Sequence, residues 1–262
     1  MATRASLTQI NLSRPGPAEM GGAKDSCAQC PIRDRAICSH CNADEMAHLE
    51  QIKFYRSYPA GQLIQWEGER SDFVASVVTG VVTLTRTLED GRTQMVGLLM
   101  PSDFLGRPGR DIALTNATAA TDVTLCCFRR APFDALMRQT PHLTGRLLEM
   151  TQDELDAARE WMLILGRKSA RERIASFLVI VARRHAMLTR ATPASGMAFD
   201  LPLSREAMAD YLGLTLETVS RQINALKREG LIDLTGKRGV ILHDVAQLID
   251  VSGEDGDGGW PD

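Results

Sequence analysis

Between Ser204 and Leu242, chain breakers and periodic segments alternate at a spacing that leaves little topological freedom. Ser204 suits the N-cap of a short helix over 205–211, because its hydroxyl can accept from an orphan amide of the first turn. Leu212-Gly213-Leu214 makes a turn, Thr215 caps a second helix over 216–229, and Gly230 stops it. Leu231-Ile232 and Val240-Ile241-Leu242 then flank Thr235-Gly236-Lys237-Arg238-Gly239, a hairpin with two positive charges at its tip. Ala209 and Gly213 are small where the helices must approach, while Val219, Ile223 and Leu226 share one inward face. Two short helices and a charged hairpin in this order predict a winged helix-turn-helix.

The opposite face of the second helix carries Thr215, Glu217, Thr218, Ser220, Arg221 and Asn224. Arg221 can give guanine O6 and N7 two parallel hydrogen bonds, Glu217 can accept from a cytosine amino group, and Ser220 can serve several bases. Lys227, Arg228, Lys237 and Arg238 can meet phosphates, which adds affinity without sequence information. Glu217 and Arg221 are also spaced i, i+4, and a solvated ion pair worth about 0.3–0.5 kcal/mol is the plainer use of such a pair. The charge distribution favours the nucleic acid. Residues 168–243 hold 12 basic and 7 acidic side chains inside a chain of net charge −3. A basic module of this kind within an acidic protein points to a polyanionic partner, and on a helix-turn-helix that partner is expected to be double-stranded DNA.

Upstream, the texture changes twice. Between 52 and 128, short runs rich in Val, Leu and Thr (74–85, 94–99, 123–128) are separated by glycines at 61, 68, 80, 91 and 106, and Asp90-Gly91 suits a hairpin turn. Such punctuation predicts an antiparallel sandwich or barrel rather than a parallel sheet. From Pro141 the period becomes helical, with two adjacent stripes. One holds Leu143, Leu147, Met150, Glu154, Ala157, Trp161 and Ile164; the other holds Leu148, Thr151, Leu155, Ala158, Met162 and Leu165. A helix this long needs two surfaces to cover so broad a side. We expect its own β-domain on one and the same helix of a second copy on the other, a homodimer through Leu148, Leu155, Ala158, Met162 and Leu165. Gly166 is expected to end or kink it.

The chain thus divides into a flexible leader (1–26), a cysteine-rich segment with a β-domain (27–140), a dimerisation helix (141–166), the winged helix-turn-helix (167–245) and an acidic tail (246–262). A hydrophobic fraction of 44% with 24% charged residues excludes a mainly disordered or fibrous chain. No uncharged run approaches the roughly 18 residues of a membrane span. Residues 1–22, polar and broken by Pro15 and Pro17, lack the apolar core of a secretory signal. A cytoplasmic protein with no membrane partner is expected.

Six cysteines stand at 27, 30, 38, 41, 126 and 127. Clustered thiols in a cytosolic protein are metal ligands or redox groups more often than disulfides. Two residues between cysteines let one tight turn aim both sulfurs at one centre, and soft thiolates suit zinc or iron–sulfur clusters. Three uses remain open on spacing: a local zinc knuckle of Cys27, Cys30, Cys38 and Cys41, a metal-free dithiol switch, or an iron–sulfur cluster held by three of these four and a distant thiol. Arg33 and Arg35 are expected to offset the thiolate charge. An enzymatic use of Cys27-Ala-Gln-Cys30 as a thiol oxidoreductase would leave the helix-turn-helix unexplained, so no enzyme is expected.

The order of parts, with Leu216-Glu217-Thr218-Val219-Ser220-Arg221 on the second helix, resembles the CRP/FNR superfamily of bacterial transcription regulators over about residues 25–245. Within it the chain resembles the oxygen-sensing FNR branch, notably its FnrL/FnrN-type members. The resemblance implies an α+β fold: an N-terminal antiparallel β-roll of cyclic-nucleotide-binding type, a long dimerisation helix and a C-terminal winged helix-turn-helix. It further implies a homodimer that binds an inverted repeat of the TTGAT type, with Glu217, Ser220 and Arg221 as the reading residues, and that acts with RNA polymerase as activator or repressor. One [4Fe–4S] cluster per subunit is implied on Cys27, Cys30, Cys38 and Cys126, with Cys41 as the alternative third leader ligand. Neither Cys41 nor Cys127 has a counterpart in that pattern. Extended backbone sends neighbouring side chains to opposite faces, so only one of Cys126 and Cys127 should meet the leader. Arg107-Pro108-Gly109-Arg110 and Thr115-Asn116-Ala117-Thr118 stand where the CRP branch carries its Gly-Glu pair and Arg-Ser, so no cyclic nucleotide is expected.

Overall fold

The computed structural model describes Ala18–Glu19 and residues 27–254. Most of the expected leader, and 255–262 of the expected tail, lie outside the described residues. Among the described residues, the N-terminal domain has nine short strands in two sheets. β1 (Ala18–Glu19), β2 (Lys53–Tyr58), β4 (Phe73–Thr79), β7 (Phe104–Leu105) and β9 (Val123–Arg129) lie in the order β1-β2-β9-β4-β7. β3 (Leu63–Gln65), β5 (Val82–Thr87), β6 (Thr93–Leu99) and β8 (Asn116–Ala119) lie in the order β3-β8-β5-β6. Every pairing among these strands is antiparallel. The 74–85 run splits into β4 and β5 at Gly80, whose φ is 80°; a Cβ there would lie 2.1 Å from the Asp122 carbonyl oxygen.

Alternation along β9 serves two cores. Val123, Leu125 and Cys127 point into the sandwich with Phe73, Val77, Leu99 and Leu105. Cys126 and Phe128 point the other way, onto Ile37, Leu49, Val74, Phe133 and Leu143. That second core lies beneath three helices: α1 (Ala43–Ile52), α2 (Arg130–Gln139) and α3 (Pro141–Arg167). The sequence texture showed only the last of them. α1 starts in a capping box, with the Asn42 side chain accepting from Glu45 N and the Glu45 carboxylate accepting from Asn42 N.

α3 is 27 residues long and runs through Gly166, which lies inside its last turn instead of ending it. Its two stripes part company. Leu143 and Ile164 are buried, and Trp161 stacks on Tyr211 with ring centroids 4.0 Å apart. Leu148, Leu155 and Met162 stand 60%, 49% and 66% exposed. Ala158 is exposed with them and Leu165 is half-buried. No helix among the described residues is long and apolar enough to cross a membrane.

The C-terminal module follows as α4 (Ala170–Leu188), β10 (Ala198–Asp200), α5 (Arg205–Leu212), α6 (Leu216–Arg228), β11 (Ile232–Thr235), β12 (Gly239–Leu242) and α7 (Val245–Ser252). β10 joins the hairpin in a sheet ordered β10-β12-β11. The acidic tail expected from 246 is corrected by α7. Asp244 caps this helix, and Leu248 and Ser252 bury themselves in the module. The run Leu248-Ile249 is apolar within an acidic segment, and burial of that face outweighs the charge around it. Val81, Met95 and Met100 of the β-domain share one core with Phe177, Met208 and Leu212 of this module.

Candidate metal centre and nucleic-acid interface

Four of the six cysteines sit on two tight turns. Cys30 N donates to the Cys27 carbonyl at 3.4 Å and Cys41 N to the Cys38 carbonyl at 3.2 Å. None of the six cysteines is in a disulfide. Cys27 is buried and doubly held: its amide donates to Glu50 Oε1 at 2.8 Å, and Lys53 Nζ donates to its sulfur at 3.2 Å. Lys53 opens β2, two residues before Tyr55, the cross-strand partner of Cys126. Cys38 and Cys41 pack on the same apolar core as Cys126.

Burial pushes the Cys38 thiol up to about 12, with Cys30, Cys27 and Cys41 adding to the shift. Cys41 rises to about 11 through burial and then through Glu45 and Cys27. Cys126 is held well above the ordinary thiol value by burial, then by Cys30, Cys127, Cys27 and Cys38. For Cys27, burial also raises the value, but the Lys53 hydrogen bond opposes it. Crowded, desolvated sulfurs of this kind need a cation to become thiolates together, so the donor set fits a soft, positively charged group. Among the described residues no three His, Cys, Asp or Glu side chains converge tightly enough to share one metal ion. A cubane asks less of them, since each thiolate binds a different iron. Arg33 and Arg35 are both exposed, and the cation hydrogen-bonded to a cysteine sulfur is Lys53. A lone Lys between an amphipathic helix and a strand carries no sequence signal for that role.

The cysteine segment is fastened to α3. Arg146 Nη2 donates to the Arg35 carbonyl oxygen at 2.7 Å, and Arg146 Nη1 to Glu149 at 3.0 Å. Glu149 lies 3.7 Å from His40 Nδ1, and His142 Nδ1 lies 3.0 Å from Glu45. At the far end, Arg173 ties α3 to the turn of the helix-turn-helix. Its guanidinium donates to the carbonyls of Leu165 (2.7 Å), Lys168 (3.0 Å) and Leu212 (3.0 Å), which caps the helix end.

On α6, Val219, Ile223 and Leu226 are buried as expected. Glu217, Arg221 and Asn224 are exposed, and Thr218 and Ser220 half-buried. Among the described residues no ion pair joins Glu217 to Arg221, so the solvated-pair alternative is not what this helix builds. Thr215 Oγ1 accepts from Thr218 N at 3.2 Å and donates to Thr218 Oγ1 at 3.1 Å, which places both residues in the helix cap. Lys237 and Arg238 project from the β11–β12 turn, where Gly236 takes φ 57°. Lys227 is engaged by Asp233 at 2.9 Å. In the β-domain, Arg130 donates to the carbonyls of Arg107 (2.8 Å), Arg110 (2.9 Å) and Ser71 (2.8 Å), and so shapes the 107–110 loop.

Residues 172–251 match the Crp-like helix-turn-helix domain, and residues 55–140 match the cyclic nucleotide-binding domain. The chain is 64% identical over 235 residues to the transcriptional activator protein FnrL of Cereibacter sphaeroides, covering 90% of this chain and 95% of that one. It is 37% identical over 224 residues to the nitrogen fixation regulation protein FixK of Bradyrhizobium diazoefficiens, covering 86% and 90%. The solved structure of FixK2 from Bradyrhizobium japonicum is similar with a TM-score of 0.69 at 32% identity, covering 78% of this chain and 99% of that one.

Proposed function

Because this chain belongs to the CRP/FNR family of transcription regulators, we propose that it is an oxygen-responsive member, binding an inverted-repeat DNA site of the TTGAT type as a homodimer and acting with RNA polymerase in the cytoplasm. The observation that carries the oxygen-responsive part is the outward turn of Cys126. A strand thiol from the middle of the chain enters the same core as Cys38 and Cys41. That placement supports Cys126 as the fourth ligand of a [4Fe–4S] cluster with Cys27, Cys30 and Cys38, and keeps Cys41, on the same core, as the alternative third leader ligand. A cluster held there supplies oxygen-labile iron–sulfide bonding.

The protein's own residues do the rest. Cys27 and Cys30 tie the start of the cysteine segment, Cys38 its end, and Cys126 the β-domain. Arg146 and His142 pass the position of that segment to α3. Leu148, Leu155, Ala158 and Met162, uncovered in one copy, are the surface for a second. Pairing sets two α6 helices one turn of DNA apart, roughly 34 Å, so that Glu217, Ser220 and Arg221 of both copies can read half-sites together. Lys237 and Arg238 meet phosphates, as do Thr215 and Thr218 from the start of α6. Gain or loss of the tie thus shifts the balance between monomer and dimer, and with it DNA occupancy.

Segments 107–110 and 115–118 lack the Gly-Glu pair and the Arg-Ser of the CRP branch, which supports the reading that no cyclic nucleotide is bound. Anaerobic purification tests the central part. Brown protein carrying iron and sulfide is expected; colourless protein with equimolar zinc would replace the cluster with a structural metal, and DNA binding that answers to cyclic AMP would restore a ligand-responsive role.

A further inference from the structure

The cysteine pattern accounts for the sulfurs but not for the charged pair beside them. Glu50, in the last turn of α1, and Lys53, the first residue of β2, close on Cys27 from both of its polar ends. The Glu50 carboxylate accepts from the Cys27 amide at 2.8 Å, Lys53 Nζ donates to the Cys27 sulfur at 3.2 Å, and the two side chains lie 3.8 Å apart. The Lys53 side chain is only 12% exposed.

We propose that Lys53 and Glu50 are positioning residues for the iron–sulfur site: together they fix the first leader ligand before any metal arrives, and Lys53 then supplies a buried positive charge and an N–H···S bond to a ligating sulfur. The inference rests on the cluster reading above and goes beyond its ligand list. Four thiolates around one cluster leave excess negative charge in a desolvated place, and a cation held at hydrogen-bond distance from one sulfur is the physical remedy. The α1–β2 junction suits the task, because the helix end and the strand start are each anchored: Leu49 is fully buried and β2 is paired along its whole length with β9. A charge on such a support is fixed before binding, so ordering it costs little when the group is loaded. Removal of outer partners of this type lowers metal retention about 10–100-fold.

The test compares wild-type protein with Lys53→Met and Lys53→Arg, all reconstituted with iron and sulfide without oxygen and checked for wild-type circular dichroism. Lys53→Met is expected to lose iron to a chelator about ten-fold faster or more. The midpoint potential of its cluster should also move to more negative values, because a positive charge that favours the reduced form is gone. Lys53→Arg should restore both in large part. In metal-free protein, hydrogen exchange of the peptide containing Cys27 should lose protection in Lys53→Met and in Glu50→Ala. A coloured wild type with unchanged iron loss and potential in Lys53→Met would overturn the role of Lys53 alone. A wild type that takes up no iron would overturn the cluster reading and this inference with it. Should Lys53→Met fail to fold, Lys53→Arg and Glu50→Ala decide by the same readouts: wild-type iron retention with wild-type exchange in Glu50→Ala, or a potential shifted in Lys53→Arg as if the charge were absent, would overturn the assignment.

Discussion

Arg146, on the first half of the long helix, donates through Nη2 to the backbone carbonyl of Arg35, midway between Cys30 and Cys38, at 2.7 Å. This bond joins the segment that would hold the cluster to the helix that would hold the partner. It lies on a mostly buried arginine that also meets Glu149. A carbonyl bonded to a charged donor is among the stronger hydrogen bonds in a protein.

Replacing Arg146 with methionine keeps the stem and removes the bond. Stability should fall by about 1.5–3 kcal/mol in denaturant unfolding, the usual loss for a hydrogen bond to a charged group. The difference in dimer dissociation constant between anaerobic and air-treated protein should narrow. Sedimentation equilibrium measures the second effect directly.

Leu155 is half exposed in the middle of the outer α3 stripe. Leu155→Glu places like charges opposite each other across a pair of helices while touching no intrachain core. The variant should stay monomeric at concentrations where wild type is dimeric, with an unchanged unfolding midpoint measured on monomers. Binding to the full operator should fall toward that of a single half-site.

On α6 and its wing the two kinds of DNA contact separate by sequence and by salt. Arg221→Ala should cost about 1–3 kcal/mol on the preferred site and little on random DNA. Lys237→Ala should weaken both alike and reduce the slope of log affinity against log salt by about 1. Fluorescence titrations at several salt concentrations distinguish them.

Glu45 links acid sensitivity to the cysteine segment. The amide of Asn42 and then His142 hold its carboxyl below the ordinary value. A depressed carboxylate stabilises the fold above its unfolded pKa and loses that contribution as pH falls through the lower folded value. Wild type should therefore exceed Glu45→Gln in Tm near neutrality, and the gap should close as pH drops below about 4. Thermal unfolding across that range is the measurement.

Much of this was legible in residue order, and the exceptions have physical causes. Thr215, Gly213 and the Val219-Ile223-Leu226 face specify the helix-turn-helix locally, because caps, a left-handed turn and helical spacing are short-range signals. The opposite directions of Cys126 and Cys127 follow from strand alternation alone. α1 and α2 were hidden because each is 10 residues long, and their stability comes from burying Leu49 and Phe133 under α3. α7 was hidden by the acids around Leu248. Lys53 and Arg173 act through sulfurs and carbonyls far along the chain, at positions where a lone basic side chain gives no pattern to read.

The central claim is that a strand thiol and leader thiols hold one oxygen-labile group that governs pairing of two chains. One anaerobic sample of wild type and one of Cys126→Ser, each followed by visible spectrum and sedimentation before and after air, tests it directly. Wild type should be brown and dimeric, then bleach and fall to monomer, whereas Cys126→Ser should be colourless and monomeric throughout. A brown Cys126→Ser protein that still dissociates on exposure to air would contradict the account.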